Sequence, residues 1–429
     1  MTYQEATTYL FTAAPLFQNI GASAYKEGLD NTRLLDEHFG HPHRNYRTIH
    51  VGGTNGKGST SHTLAAILQS QGYRVGLYTS PHLVDFRERI RVNGEMIPEQ
   101  RVISFVEQER SFFEPLRPSF FELTTALAFQ YFAEQKVDVA VIEVGLGGRL
   151  DCTNIIQPDL SVITNISFDH IQFLGNTLPQ IASEKAGIIK HGIPAVIGEA
   201  GDDEVRNVFL KQAEEVGTKL IFAEEEEELT GYDYTPTNGY TYHTRTYGQL
   251  KGQLGGYCQE KNTRTILAAV SELNQVGYGI TSASVANGIS HVCELTGLMG
   301  RWQIISREPL TVCDTGHNTG GMQYITRQLR ETPHQRLHII IGMVNDKDVN
   351  TVLSMLPEDA VYYFTQASVK RAMPCEEFAG IARKHNLQGT CYDNVVSAYH
   401  AARQNAAKSD LIFVGGSTFI VADMLNNIF

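Results

Sequence analysis

The sequence predicts an α/β protein in two parts. A large N-terminal domain has a mostly parallel sheet flanked by helices, and a smaller Rossmann-like α/β domain follows it. Three stretches predict this. Tyr46–Val51 reads as a short strand, His50–Ser61 as a glycine-rich loop and Thr63–Leu68 as the start of a helix. That order is the context of a phosphate-binding loop and makes the first part a P-loop domain. Val137–Gly145 is an almost continuous apolar run, as expected of a central parallel strand covered on both faces. Strands and helices alternate again beyond Leu298, with strands expected at Leu310–Asp314, Leu337–Gly342, Val361–Thr365 and Leu411–Gly415.

Length and charge narrow the function. A chain of 429 residues suits two domains. A net charge of −12 opposes a nucleic-acid surface, which needs clustered Lys and Arg, but leaves room for a nucleotide. Six cysteines are scattered with no CxxC pair, so neither a zinc site nor a disulfide framework is indicated and reduced thiols in a cytoplasmic protein are expected. Met1–Glu5 lacks the basic and apolar regions of a signal peptide. No apolar run approaches the roughly 20 residues needed to cross a bilayer, so no membrane partner is expected.

Taken in order, helices are predicted over 3–18 and 29–39, joined by the small, polar stretch Gly21–Asp30. In the loop Gly53–Ser59 the glycines let backbone N–H groups turn toward an anion, and the following helix presents its positive end. Lys57 adds a point charge, and Ser59 or Thr60 a hydroxyl suited to Mg²⁺. Gly58 separates Lys57 from Ser59, unlike the common pattern. The strand Arg74–Thr79 leads to Ser80-Pro81-His82 at a carboxyl end, where ligands gather. Ser80 there serves either a metal shell or a turn. Helices follow over 99–114 and 121–135. Phe120 and Phe121 suit a core, or a flat ring if they line a cleft.

Glu143 closes the apolar strand, and a buried carboxylate there needs a partner. A metal beside a nucleotide is favoured over a salt bridge. Leu146–Asn154 is a flexible polar loop of the ligand-holding kind. The strand Leu160–Ile166 delivers His170 to the same edge, as a candidate metal ligand. A helix over Thr177–Lys190 carries Lys185, either a solvated charge or one supplied to the site. A strand over 193–197, a helix over 202–216, the solvated run Glu224–Glu228 and a β excursion over 230–256 come next. Helices are expected over 263–276, with Asn262 near the cap, and over 285–295. Leu298–Gln303 changes the register and is the candidate domain junction, and Cys313–Asn318 is another polar cluster at a strand end.

With these residues assembled, the chain resembles the folylpolyglutamate synthase and dihydrofolate synthase family of Mur-type ATP-dependent amide ligases. The resemblance rests on Gly53–Ser59, Tyr78–Leu83, Glu143–Asp151, Asp169-His170, Glu184–Ile188, Gly300–Gln303, Asp314 with His317-Asn318, and Gly342–Asp348. It covers nearly the whole chain and accounts for Gly58. It implies an ATP-binding P-loop domain over 1–297 and a glutamate ligase domain over 298–429. It also implies that L-glutamate is joined to dihydropteroate or a reduced folate through an acyl phosphate.

Site residues carried over are ATP contacts from Thr54, Asn55, Gly56, Lys57, Gly58, Ser59, Thr60, Asn262, Arg301 and Asp314. Two Mg²⁺ ions are implied on Ser59 or Thr60, Ser80, Glu143 and His170, directly or through water. Lys185 matches a lysine that becomes carbamylated and then ligates metal. Phe121, Glu122, Leu150, Asp151 and Cys152 match positions holding the pterin, and His317 lies on the amino-acid side. Lys57, Glu143, His170, Lys185 and His317 form the implied catalytic set. Flavin, NAD and haem are not expected, and a monomer is. The family's Asp-Gly-Ala-His-Asn-Pro is here Asp314-Thr315-Gly316-His317-Asn318-Thr319. The competing functions are a P-loop NTPase or small-molecule kinase without ligation, and a nucleotide-binding module without chemistry.

Overall fold

The computed structural model describes residues 1–13, 28–236, 238–345 and 348–428. Most of the predicted loop Gly21–Asp30, the end of the predicted first helix, and Asp346 and Lys347 lie outside them. The chain divides into two compact units. The first holds Met1–Asp233, Tyr240–Gln253 and Glu260–Leu298; the second holds Tyr234–Gly239, Leu254–Gln259 and Met299–Phe429.

The first unit is built on eight strands: β1 (Arg47–Gly52), β2 (Val75–Tyr78), β3 (Ile90–Val92), β4 (Glu95–Met96), β5 (Val139–Glu143), β6 (Leu160–Ile163), β7 (Ala195–Ile197) and β8 (Leu220–Phe222). Their order is β4-β3-β2-β5-β1-β6-β7-β8. From β2 to β8 the pairing is parallel, and β3 and β4 turn back antiparallel at one edge. All five residues of β5 are buried, which explains its unbroken apolar run. The β excursion is a three-stranded sheet of β9 (Leu229–Thr235), β10 (Gly239–Thr244) and β11 (Gln249–Gly252).

Three helix boundaries differ from the prediction. The helix expected over Thr177–Lys190 spans Leu178–Ala186, opened by a Thr177–Gln180 capping box. It stops at Gly187, where a Cβ would come 2.4 Å from Arg149 Cβ. The helix expected from 263 starts at Gln259, so Asn262 lies inside its first turn. The segment expected as one helix over 285–295 is two, Ser282–Ser290 and Val292–Thr296, parted at His291.

The second unit carries six strands: β12 (Gln303–Arg307), β13 (Leu310–Cys313), β14 (Leu337–Ile341), β15 (Val361–Phe364), β16 (Gly389–Cys391) and β17 (Leu411–Gly415). The order is β12-β13-β17-β14-β15-β16, with only β12 antiparallel. β12 and β16 are additional to the prediction. Both are edge strands with exposed residues, so neither has the continuous apolar signature that marks β14 and β17.

Candidate active site

β1 ends at Gly52, and the next turn reverses on two glycines in the left-handed region, Gly53 at φ 132° and Gly56 at φ 84°. Neither tolerates a side chain. A Cβ on Gly53 would lie 2.0 Å from Thr164 Oγ1, and one on Gly56 would lie 2.3 Å from Asn262 Oδ1. Asn262 thus packs against the loop. The helix Lys57–Ser70 begins directly after Gly56 with no side-chain cap, and such an N-terminus suits an anion.

The loop is braced from below by the segment after β6. Thr54 N–H donates to Asn165 O at 2.9 Å and Asn55 N–H to Asn165 Oδ1 at 2.9 Å. Thr54 Oγ1 and Ser167 exchange bonds at 3.1 Å, and Asn55 Nδ2 reaches Ser167 Oγ at 3.1 Å. Asn165 and Ser167 are functional supports that sequence reasoning passed over. Their signal was a polar run at the carboxyl end of a buried strand.

Two lysines converge on one carbonyl. Lys57 Nζ donates to Gly53 O and Thr54 O, each at 3.0 Å, and Lys185 Nζ donates to the same Gly53 O at 2.9 Å. Burial, and secondarily the charge of Lys57, push the Lys185 ammonium down to about 7. Lys185 is therefore not the solvated charge its helix position allowed. Ser59 and Thr60 are buried in the first two turns of the helix, and Thr60 Oγ1 finds no hydrogen-bond partner. Gly58 is half-buried between them and Lys57.

At the end of β5, buried Glu143 accepts the Ser80 N–H at 3.0 Å on Oε2. The Ser80 turn is itself held by Arg89, whose carbonyl receives Thr79 N–H at 3.0 Å and whose Nε donates to His82 Nδ1 at 2.7 Å. His170 sits at φ 49°, its N–H on Asp169 Oδ1 at 2.9 Å. Among the described residues no group of three or more His, Cys, Asp or Glu is gathered for a metal. A metal here would draw on Glu143, hydroxyls, substrate oxygens and water, a donor set that suits Mg²⁺.

The predicted pterin positions lie around the loop after β5. Phe121 lies against that loop, because a Cβ on Gly145 would come 2.4 Å from its ring. Its ring tilts against Tyr78 at 5.8 Å. Glu122 is buried in a capping box with Ser119, so part of its carboxylate serves the helix end. Asp151 is buried and accepts Leu146 N–H at 2.8 Å and Thr153 N–H at 3.0 Å. Burial raises its carboxyl, opposed by the bonds from Thr153 and Leu146. Leu150 and Cys152 are half-buried beside it, and burial holds the Cys152 thiol well above its ordinary range.

In the second unit, Asp314 follows β13 and accepts Trp302 N–H at 2.7 Å and Gly316 N–H at 2.8 Å. Burial raises its carboxyl, opposed by Arg301. Arg301 is set in a tight turn between Gly300 at φ 69° and Trp302 at φ 45°. Thr315, where the family pattern has glycine, buries its side chain and donates from Oγ1 to Gly300 O at 3.2 Å. His317 Nδ1 pairs with Thr315 O at 3.0 Å. The altered segment thus keeps a braced turn around its polar anchors.

A glycine-rich loop with two converging lysines, and a separate α/β unit with Arg301, Asp314 and His317 at a strand end, are the arrangement expected of an ATP-dependent amide ligase of the Mur type. Comparison with known proteins agrees. Residues 51–251 match the Mur ligase middle domain and residues 300–418 the Mur ligase glutamate ligase domain. The chain is 32% identical over 424 residues to the dihydrofolate synthase/folylpolyglutamate synthase of Escherichia coli K12, covering 98% of this chain and 96% of that one. It therefore belongs to the folylpolyglutamate synthase/dihydrofolate synthase family, ligases that form carbon–nitrogen bonds.

The solved structure of E. coli FolC in complex with DHPP and ADP is similar with a TM-score of 0.85 at 31% identity, covering 100% of this chain and 98% of that chain. A bifunctional folylpolyglutamate synthase/dihydrofolate synthase with Mn, AMPPNP and L-glutamate bound gives 0.82 at 29%, with coverage of 100% and 98%. A Haloferax volcanii relative, a probable bifunctional folylpolyglutamate synthase/dihydropteroate synthase, is 32% identical over 99% of this chain, and the chain spans about half of its length. Among the described residues no helix is long and apolar enough to cross a membrane.

Proposed function

We propose that this chain joins L-glutamate to the carboxylate of a pterin or folate, driven by ATP. The substrates are dihydropteroate, giving dihydrofolate, and reduced folates whose glutamate tail it extends. The observation that carries this is Lys57, on the Gly53 and Thr54 carbonyls beside an uncapped helix start, a cation placed for transferable phosphate, with buried Lys185 next to it on the same Gly53 O. A kinase or switch NTPase accounts for the loop but not for a second α/β unit of the glutamate ligase type.

The chemistry runs in two additions. A substrate carboxylate oxygen attacks the γ-phosphorus and ADP leaves, giving an acyl phosphate. The glutamate α-amine attacks the acyl carbon, phosphate leaves, and the amine loses a proton. Phosphoryl transfer needs positioning and charge neutralisation above all. Lys57 supplies a point charge and the loop N–H groups orient the phosphates, with Thr54, Asn55, Gly56, Gly58 and Thr60 forming the cradle and Asn262 its wall. Arg301 and Asp314 are assigned to the nucleotide and His317 to glutamate. Mg²⁺, when bound, neutralises phosphate charge, and Ser59, Ser80, Glu143, His170 and a carbamylated Lys185 are the residues that would hold two ions.

Lys185 suits carbamylation because an amine titrating at about 7 is substantially neutral at neutral pH. Its lone pair can then add to CO₂ with loss of a proton. Phe121, Glu122, Leu150, Asp151 and Cys152 form the pterin side. The enzyme acts as a cytoplasmic monomer.

Incubation with Mg-ATP, L-glutamate and either dihydropteroate or tetrahydrofolate tests the reading. The expected result is ADP, phosphate and a new amide with one or both acceptors. ADP release without an amide overturns it. Mass spectrometry of the intact chain in bicarbonate, lost on acidification and absent in Lys185→Arg, tests the carbamate.

A further inference from the structure

β1 is buried along its length except at Arg47, and His50 stands in its middle, fully buried between Ile49 and Val51. An apolar side chain would fill that place with no polar group to satisfy. His50 instead leaves Nδ1 without a hydrogen-bond partner, while Nε2 lies 2.8 Å from Thr153 Oγ1. Thr153 Oγ1 in turn donates to Asp151 Oδ1 at 2.5 Å.

The donors fix the direction. Asp151 accepts from Leu146 N–H, Thr153 N–H and the Thr153 hydroxyl, which is the pattern of an ionised carboxylate. The Thr153 hydroxyl has one proton and gives it to Asp151. Its oxygen must then accept from His50, so His50 is the neutral Nε2–H tautomer. A buried polar group half satisfied in a central strand calls for an explanation beyond packing. We infer that His50 and Thr153 form a positioning relay that holds the Asp151 carboxylate, tying the strand that carries the phosphate loop to the loop Leu146–Asn154. This rests on the reading of Asp151 as a pterin-side residue.

The relay acts on one substrate only. Thr153→Val keeps the side chain's shape and removes the hydroxyl. It is expected to raise KM for dihydropteroate about tenfold, with KM for ATP and kcat within about twofold. Thr153→Ser and His50→Gln, which keep the donors, are expected near the parent enzyme. A merely structural role predicts instead that both KM values move together or that neither does, and either result overturns the relay. Asp151→Asn separates the two ideas. If it leaves KM for dihydropteroate unchanged, the pterin reading of Asp151 fails. The relay is then judged on amide hydrogen exchange in Thr153→Val: faster exchange at Leu146, whose N–H Asp151 holds, supports it, and unchanged exchange overturns it.

Discussion

The two units end their central strands in polar turns of opposite electrostatic design. In the first, two lysine amines share the Gly53 carbonyl, and burial and the Lys57 charge both work against a proton on Lys185. In the second, the Asp314 carboxylate is spent on two backbone N–H groups and holds the Arg301 turn in shape. Crowded cations do not stabilise a fold, because burial and mutual repulsion both oppose them. A carboxylate satisfied by backbone donors does. The first turn is therefore organised for a ligand against its own stability, whereas in the second the carboxylate assigned to the nucleotide also holds its own backbone. Removing charge should separate activity from stability in the first and reduce both together in the second.

Lys57→Ala gives the largest expected effect. Activity should fall by about 10²–10³-fold, as when one preorganised charge-stabilising donor is lost, while the urea midpoint stays level or rises. A variant that unfolds more readily would place Lys57 among the fold's supports and remove the contrast.

Asp314→Ala should lower the unfolding free energy by about 2–3 kcal/mol, because Trp302 and Gly316 N–H groups lose their acceptor, and reduce activity with it. Asp314→Asn retains one acceptor oxygen and should fall between. Equilibrium denaturation read alongside initial rates checks both. An Asp314→Ala protein with full stability and no activity would assign the carboxylate to ligand alone.

How much of this was legible in the sequence differs between the two turns. The phosphate loop declared itself because glycines, a lysine and hydroxyls fall in order between a strand and a helix, despite the inserted Gly58. Apart from the family resemblance, Lys185 was visible only as a charge on a helix, since nothing in its neighbours says that the Gly53 carbonyl, 132 positions away, accepts its bond. The supports Asn165 and Ser167 were hidden for the same reason: they act through tertiary bonds, and their local pattern is that of any polar strand end. In the second unit the buried parallel strands were legible by their apolar runs. Edge strands β12 and β16 were not, because an exposed strand alternates too weakly to stand out.

A pH titration sharpens the comparison at the level of single protons. Lys185 titrates at about 7 in the folded chain and near 10.4 when unfolded. Between these values the unfolded state binds more protons, so stability rises with pH; below about 7 both states are charged and the dependence vanishes. Relative to Lys185→Met, the parent protein should therefore gain about 1 kcal/mol per pH unit from pH 7.5 to 9, measured by urea denaturation in CO₂-free buffer. A flat difference would mean the ammonium is not buried beside Lys57.

The smallest expected effect concerns the departure at Thr319. It is the first residue of the helix Thr319–Glu331, where Asn318 already caps the Gly321 N–H at 2.9 Å. Proline is favoured at that position because its missing N–H has no intrahelical acceptor to lose. Asn318 lies at φ −116° and ψ 167°, inside the extended region that a residue before proline must occupy. Thr319→Pro should therefore stabilise the chain by about 0.5 kcal/mol, chiefly by restricting the unfolded state, with KM for glutamate unchanged. A destabilised variant, or a changed KM, would show that the turn from Asp314 to Thr319 differs in backbone from the family pattern, and that the difference reaches His317. An unchanged KM with a small gain in stability would mean that Asn318 alone sets the turn, and that the second unit's polar cluster is fixed by its bonds to the backbone rather than by the residue following it.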